Sequence, residues 1–140
     1  MEIFDILTGL DAPGPTATAL SEPFWAAAER GEFLIQRCGG CGEAVFYPRA
    51  ICPHCWSEDL NWEAACGRGR LKTWSVIEKP GHPAWAAVAP YAIGLVELEE
   101  GPTMLSHILG GHARLALWAP LTVRMTRVGR QTLPFFELAP

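Results

Sequence analysis

The chain has 140 residues, 49% of them hydrophobic and 19% charged, and its 15 acidic and 11 basic side chains give a formal charge of −4. That length holds one compact core, or a small metal module beside a modest domain, but not two large domains, and the acidic balance argues against a nucleic-acid partner held by neutralised phosphates. The start Met1-Glu2-Ile3-Phe4-Asp5 lacks the pattern of a signal peptide, and prolines at 80, 83 and 90 break the most apolar stretch well short of a membrane span, so a cytoplasmic protein without membrane contact is expected.

Residues 1–20 read as a tail and linker. Ile3, Phe4, Ile6, Leu7 and Leu10 share one helical face, and Asp11-Ala12-Pro13-Gly14-Pro15 stops any helix there. This is an amphipathic tag or a frayed terminus, because so short a helix is marginal without a surface to pack on. Residues 21–32 carry a better-supported helix over 22–30, with Ser21 as its cap, Pro23 in its first turn and Gly31 closing it.

Residues 33–64 hold the strongest signal: Cys38/Cys41 and Cys52/Cys55, two C-x-x-C pairs separated by ten residues. Each pair lets a tight turn aim two sulfurs at one point, and two such turns complete a four-thiolate shell. Structural zinc is the expected occupant; iron of rubredoxin type and a pair of disulfides are the alternatives. A filled shell leaves no position at which a water could be activated, so the metal should hold structure rather than perform chemistry. His54, between two ligands, is expected to point away from the metal. Gly42 can take the positive φ that turns backbone N–H groups toward sulfur, whereas Trp56, at the matching position of the second pair, cannot do so cheaply.

Residues 65–140 read as β, with strands over 71–78, 91–98, 103–109, 121–128 and 133–138 and a hairpin turn at Glu99-Glu100-Gly101-Pro102. Five short strands with Gly and Pro turns suggest a small barrel. The long loop 79–90 is rich in proline, alanine and aromatics, and loops of that length are often functional. Lys79, His82, Trp85 and Tyr91 in and beside it are the candidate ligand contacts, by charge and by stacking. Cys66, the fifth cysteine, reads as buried and inert, although His82, His107 and His112 exist as candidate activators. Arg124, Arg127 and Arg130 are spaced so that Arg124 and Arg130 share a strand face, expected to be solvated, with phosphate contact the minor alternative. Of the six tryptophans, Trp74 reads as core, and Trp25, Trp85 and Trp118 as candidates for burial against a partner.

The order helix, four-cysteine ribbon, five-stranded barrel, with the strings FWAAAERGEFLIQRCGGCG, YPRAICPHC, GRGRLKTWSVI and PYAIGLVELEEGPTMLSHILG, closely resembles the DUF35 family over residues 22–138. The resemblance implies a mainly β protein: an N-terminal helix, a rubredoxin-like zinc ribbon with Cys38, Cys41, Cys52 and Cys55 as ligands, and a C-terminal five-stranded OB-fold barrel from Gly67 onward. It also implies a non-catalytic accessory subunit that docks on a thiolase-like acyltransferase, in a hetero-oligomer with two copies of each chain, and helps form the site for coenzyme A or acyl-CoA. The alternative partner is a MaoC-type enoyl-CoA hydratase. A nucleic-acid-binding module is the remaining alternative, since zinc ribbons and OB barrels both serve that role. The chain departs from the family at Trp56, where glycine is usual, and at residues 110–114, which lack an acidic linker. With four of five cysteines committed to metal, the chain has no thiolase nucleophile set of its own.

Overall fold

The computed structural model describes residues 3–140; Met1 and Glu2, the first residues of the tail, lie outside the described residues. The element order is α1 (Ile3–Thr8), α2 (Glu22–Glu29), β1 (Leu34–Cys38), β2 (Ala44–Val45), β3 (Leu60–Ala64), β4 (Arg68–Ile77), β5 (Tyr91–Leu98), β6 (Thr103–Leu109), β7 (Pro120–Val128) and β8 (Gln131–Leu138).

The ribbon is a three-stranded antiparallel sheet in the order β2-β1-β3, with Gln36 opposite Val45 and Trp62. Gln36 is buried with both ends of its amide satisfied: its Nε2 donates to the Arg49 carbonyl (3.0 Å) and its Oε1 accepts from the Arg49 N–H (2.8 Å). That pair of bonds ties the segment between the two cysteine pairs to the central strand, since an unpaired buried amide would be costly.

Strands β4 to β8 close into a barrel in the order β4-β5-β6-β8-β7, the topology of an OB-fold. Strand β4 starts at Arg68 rather than at residue 71, because 68–70 pair with 120–122 to close the barrel. Along β5, Ala92, Gly94, Val96 and Leu98 face the core while the alternate residues face outward, the period of two expected of a half-buried strand. Gly94 permits a close approach that no larger residue would: a Cβ there would lie 2.8 Å from Leu71 Cδ1 and 3.0 Å from the Thr73 carbonyl oxygen. Between β6 and β8 the parallel pairing is short, and the buried Ser106 hydroxyl adds a bond to the Pro134 carbonyl (2.8 Å).

Ribbon and barrel share one apolar core. Phe24 on α2 packs against Phe33 and Phe46 of the ribbon, and Phe33 meets Phe136 of β8 edge-on at 6.2 Å. Trp74 is half-buried against the same core, and Trp25 packs there beside Phe24 with its Nε1 buried and unpaired. Helix α2 ends at Glu29, with Gly31 beyond it at φ +80 as the closing residue. Ser21 does not cap it as expected. Its backbone is already helical, and its hydroxyl accepts from the Thr18 N–H instead (2.9 Å).

Helix α1 is docked, not frayed. Leu7 and Leu10 are buried against Leu109, Val128 and Phe135, and the Gly129 N–H donates to the Leu7 carbonyl (2.9 Å). The arginines also differ from expectation: β7 ends at Val128, so Arg130 sits in the following turn and does not share a strand face with Arg124. Arg124 lies 4.2 Å over the Phe4 ring and near Glu137, while Arg127 binds Glu29.

Leu7 is fully buried, so Leu7→Ala should cost about 2–5 kcal/mol. Thermal melting with limited proteolysis checks this: the melt should fall and cleavage should appear in the linker after α1, whereas an unchanged melt would mean that α1 adds nothing to stability.

Candidate functional site

The two C-x-x-C turns are built alike. The Gly42 N–H donates to the Cys38 carbonyl and the Trp56 N–H to the Cys52 carbonyl, both at 2.9 Å. Each turn needs a left-handed residue just after its second cysteine, and Gly42 (φ +78) and Trp56 (φ +68) supply it. Trp56 therefore adopts the conformation that its side chain disfavours, at roughly 1–2 kcal/mol.

The turns bring all four sulfurs within 4.8 Å of one another, with Cys38 and Cys55 at 3.5 Å and Cys41 and Cys52 at 3.7 Å. Zinc–thiolate bonds of about 2.3 Å arranged tetrahedrally put sulfurs about 3.8 Å apart, so the cluster fits one zinc ion. Backbone N–H groups point at the sulfurs: Gly40 and Cys41 donate to Cys38 (3.3 and 3.4 Å), and His54 donates to Cys52 (3.4 Å). His54 thus serves the site through its backbone.

The Cys41 N–H, with Gly40 beside it, holds the Cys38 thiol down at about 6. At Cys41 the Glu43 N–H acts in the same sense but is outweighed by desolvation and by the neighbouring sulfurs, which push that thiol up to about 12. Four sulfurs this close ionise together only around a cation, which is the donor set of a structural zinc. The ion would be held by the four cysteines and would supply a rigid, closed shell.

Cys66 is exposed, not buried as expected, because it lies in the turn between ribbon and barrel. Its sulfur donates to Glu99 (3.2 Å), and desolvation at that contact, then the Glu99 and Glu100 carboxylates, raise its pKa. Arg68 binds the same Glu99 (2.7 Å), and Arg70 donates to the Trp118 carbonyl (3.2 Å). Both guanidiniums line a groove of about 440 Å³ beside the exposed Trp118, already engaged by the protein.

The loop between β4 and β5 contains a short 3-10 helix, Pro83–Ala87. Lys79 and His82 are exposed on it, and His82 Nδ1 accepts from the Ala84 N–H (3.1 Å), which caps that helix. Trp85 and Tyr91 are instead half-buried and meet at 5.6 Å. Beneath them lies His107, which the sequence offered only as a candidate activator of Cys66 and not as part of this cluster. It is 7% exposed and stacked between Tyr91 (5.1 Å) and Phe135 (4.6 Å), with Trp85 at 6.0 Å. Burial lowers its pKa to about 4. Its outward position on β6 gave no sign of burial, because a loop distant in sequence covers it.

A pair of metal-binding turns set on a closed five-stranded β-barrel defines a zinc-ribbon/OB-fold protein. Family models agree: the rubredoxin-like zinc ribbon domain of ChsH2 matches residues 25–61, and the C-terminal OB-fold domain of ChsH2 matches residues 62–125. The chain belongs to this ChsH2-type DUF35 family. It is 38% identical over 119 residues to a probable enoyl-CoA hydratase alpha subunit of Thermomonospora curvata, covering 83% of this chain and 37% of that protein. It is also 38% identical over 85 residues to a DUF35 domain-containing scaffold protein of Methanothermobacter thermautotrophicus, covering 58% of this chain and 61% of that protein. Among solved structures, an Ltp2-ChsH2(DUF35) aldolase chain superposes with a TM-score of 0.81 at 29% identity, covering 91% of this chain and 100% of that one. The chain spans less than two thirds of the length of these curated relatives.

Protein purified without added metal should carry about one zinc per chain by elemental analysis. Since structural zinc contributes on the order of 10 kcal/mol to folding in small modules, Cys38→Ser with Cys55→Ser should lose the metal and unfold the ribbon; iron, or a folded ribbon in that variant, would contradict the assignment.

The buried His107 predicts a pH dependence. Its folded pKa of about 4 lies below the ordinary 6.5, so between those values the unfolded chain binds more protons. Stability is therefore complete above 6.5 and falls as pH drops toward 4, by about 3 kcal/mol from this residue. Denaturant titrations at pH 7 and pH 4 should show that loss in the wild type and a smaller one in His107→Phe.

Proposed function

We propose that this chain is a non-catalytic subunit that docks on an enzyme acting on acyl-CoA thioesters and completes that enzyme's ligand site. The observation that carries the reading is the closed four-thiolate cluster, which commits the chain's metal-binding cysteines to structure. The remaining thiol, Cys66, is raised in pKa and hydrogen-bonded to a carboxylate, the opposite of an activated nucleophile. The scaffold and subunit names of the relatives point the same way.

The partner in this reading is a thiolase-like acyltransferase, with two copies of each chain in the assembly. The hydratase-subunit name of the Thermomonospora curvata relative, and the 3-oxo-4,17-pregnadiene-20-carboxyl-CoA hydratase alpha subunit of Mycobacterium tuberculosis, 30% identical over 111 residues, support a hydratase partner as the second reading. A nucleic-acid role is disfavoured by more than net charge. The outer face of β5 and β6, where OB-folds bind oligonucleotides, carries Ile93, Leu95 and Leu105 and no lysine or arginine.

The acyl-CoA contacts proposed are on the loop between β4 and β5. Lys79 and the free Nε2 of His82 face solvent and can meet phosphates, while Trp85 and Tyr91, held by His107, form a firm aromatic wall for the ligand's apolar parts. The test begins with co-purification from the source cell and identification of the bound enzyme. In that complex Lys79→Ala should weaken acyl-CoA binding about tenfold, the value of one charge-assisted contact. Trp85→Ala should weaken assembly or acyl-chain contact without changing zinc content. Wild-type affinity and assembly in both variants would remove the loop from the ligand site.

A further inference from the structure

Trp56 is 80% exposed, with its backbone at φ +68. The zinc turn requires that backbone conformation, but it does not require a side chain, since Gly42 fills the equivalent place in the first turn at φ +78. An indole here contributes little packing and imposes a conformation that glycine would take freely. Ile51, at the other flank of the same turn, is 45% exposed, and the Cys52 N–H bond to the Ser57 carbonyl (2.8 Å) draws the two ends of the turn together. The tip of the ribbon therefore presents a large aromatic and an aliphatic side chain to solvent, the type of residue that anchors interfaces.

The charge around this tip is predominantly acidic, with Arg49 the one exposed cation outside an ion pair among the described residues of the ribbon. Residues 33–64 hold the carboxylates Glu43, Glu58, Asp59 and Glu63 against Arg37 and Arg49, and Arg37 is bound to Glu63 at 2.8 Å. Glu43, Glu58 and Asp59 are exposed and make no ion pair among the described residues. Four thiolates around one divalent ion add further negative charge. Beside the tip, a groove of about 280 Å³ runs between the ribbon and the β5–β6 turn, lined by Glu43, Phe46, Pro53, His54, Pro102 and Thr103, with Glu43 its only carboxylate.

Building on the docking role above, we propose that the tip of the zinc ribbon is a protein-docking surface, with Trp56 as its anchor and a partner whose apolar pocket is rimmed by lysine or arginine. The indole enters the pocket, the carboxylates meet the basic rim, and a long cationic side chain of the partner fits the groove toward Glu43. A second copy of this chain is a poor occupant, because a symmetric contact would bring two acidic tips together.

The full chain co-purified from its source cell supplies the probe, the enzyme that comes with it. Affinity for that enzyme is measured at low and high salt, together with zinc content and melting of the free chain. Trp56→Gly should keep one zinc and melt at or above the wild-type temperature, yet bind at least tenfold more weakly. Glu43→Gln with Glu58→Gln should bind several-fold more weakly at low salt and lose most of the salt dependence. Wild-type affinity in Trp56→Gly, salt-independent binding by the wild type, a self-dimer abolished by Trp56→Gly, or co-purification with no protein would each overturn the proposal. If the bound protein does not act on acyl-CoA but is released by Trp56→Gly, the functional reading fails and the docking surface stands; an acyl-CoA enzyme that ignores Trp56→Gly gives the reverse.

Discussion

Holding four sulfurs within 4.8 Å of one another is the constraint on which the ribbon depends. The apolar interior around the turns is small, with Cys38, Val45 and Cys52 buried and Leu60 packed against them, too little to hold the two turns together unaided. The thiols resist joint ionisation, so a cation must supply what apolar burial does not. Geometry at the backbone follows from that requirement: the left-handed residues after each second cysteine and the N–H groups aimed at Cys38 and Cys52 exist to shape a closed shell.

A rigid ribbon would be of little use if it swung freely. Helix α2 prevents this by placing Phe24 against Phe33 and Phe46, while Phe33 reaches Phe136 in the barrel. Polar bonds reinforce the same seam, with Glu29 of α2 bound to Arg127 and to the Thr132 N–H. The two modules share one core, and a protein that contacts both at once meets a single preformed surface.

At the far side of the barrel, α1 and the loop between β4 and β5 cover an aromatic stack with His107 at its centre. This arrangement divides the loop. Trp85 and Tyr91 are fixed inward, and Lys79 and His82 remain outside, so the loop can offer charge from a firm base rather than as a mobile arm. It also covers part of the face that an oligonucleotide-binding OB barrel would keep open.

The cysteine spacing determined the metal site, because ligands only a few residues apart can be judged without knowing the fold. Strand alternation and the turn at Glu99-Glu100-Gly101-Pro102 marked most of the barrel's strands for the same local reason, the β5–β6 register being carried by neighbours in the chain, whereas the β4–β7 and β6–β8 pairings that close the barrel join strands distant in sequence. The tertiary structure alone decided which outward positions are truly outside. His107 and the exposed Leu105 occupy equivalent places along β6, and only the folding of a distant loop buries one of them. Likewise, α1 has too few residues to be stable by itself, and its order comes from Val128 and Phe135 far along the chain. Cys66 looked buried from its residue type and lies exposed because the junction between modules leaves it facing Glu99. Spacing and periodicity report contacts made within a few residues, whereas burial is a property of surfaces brought together from opposite ends of the sequence.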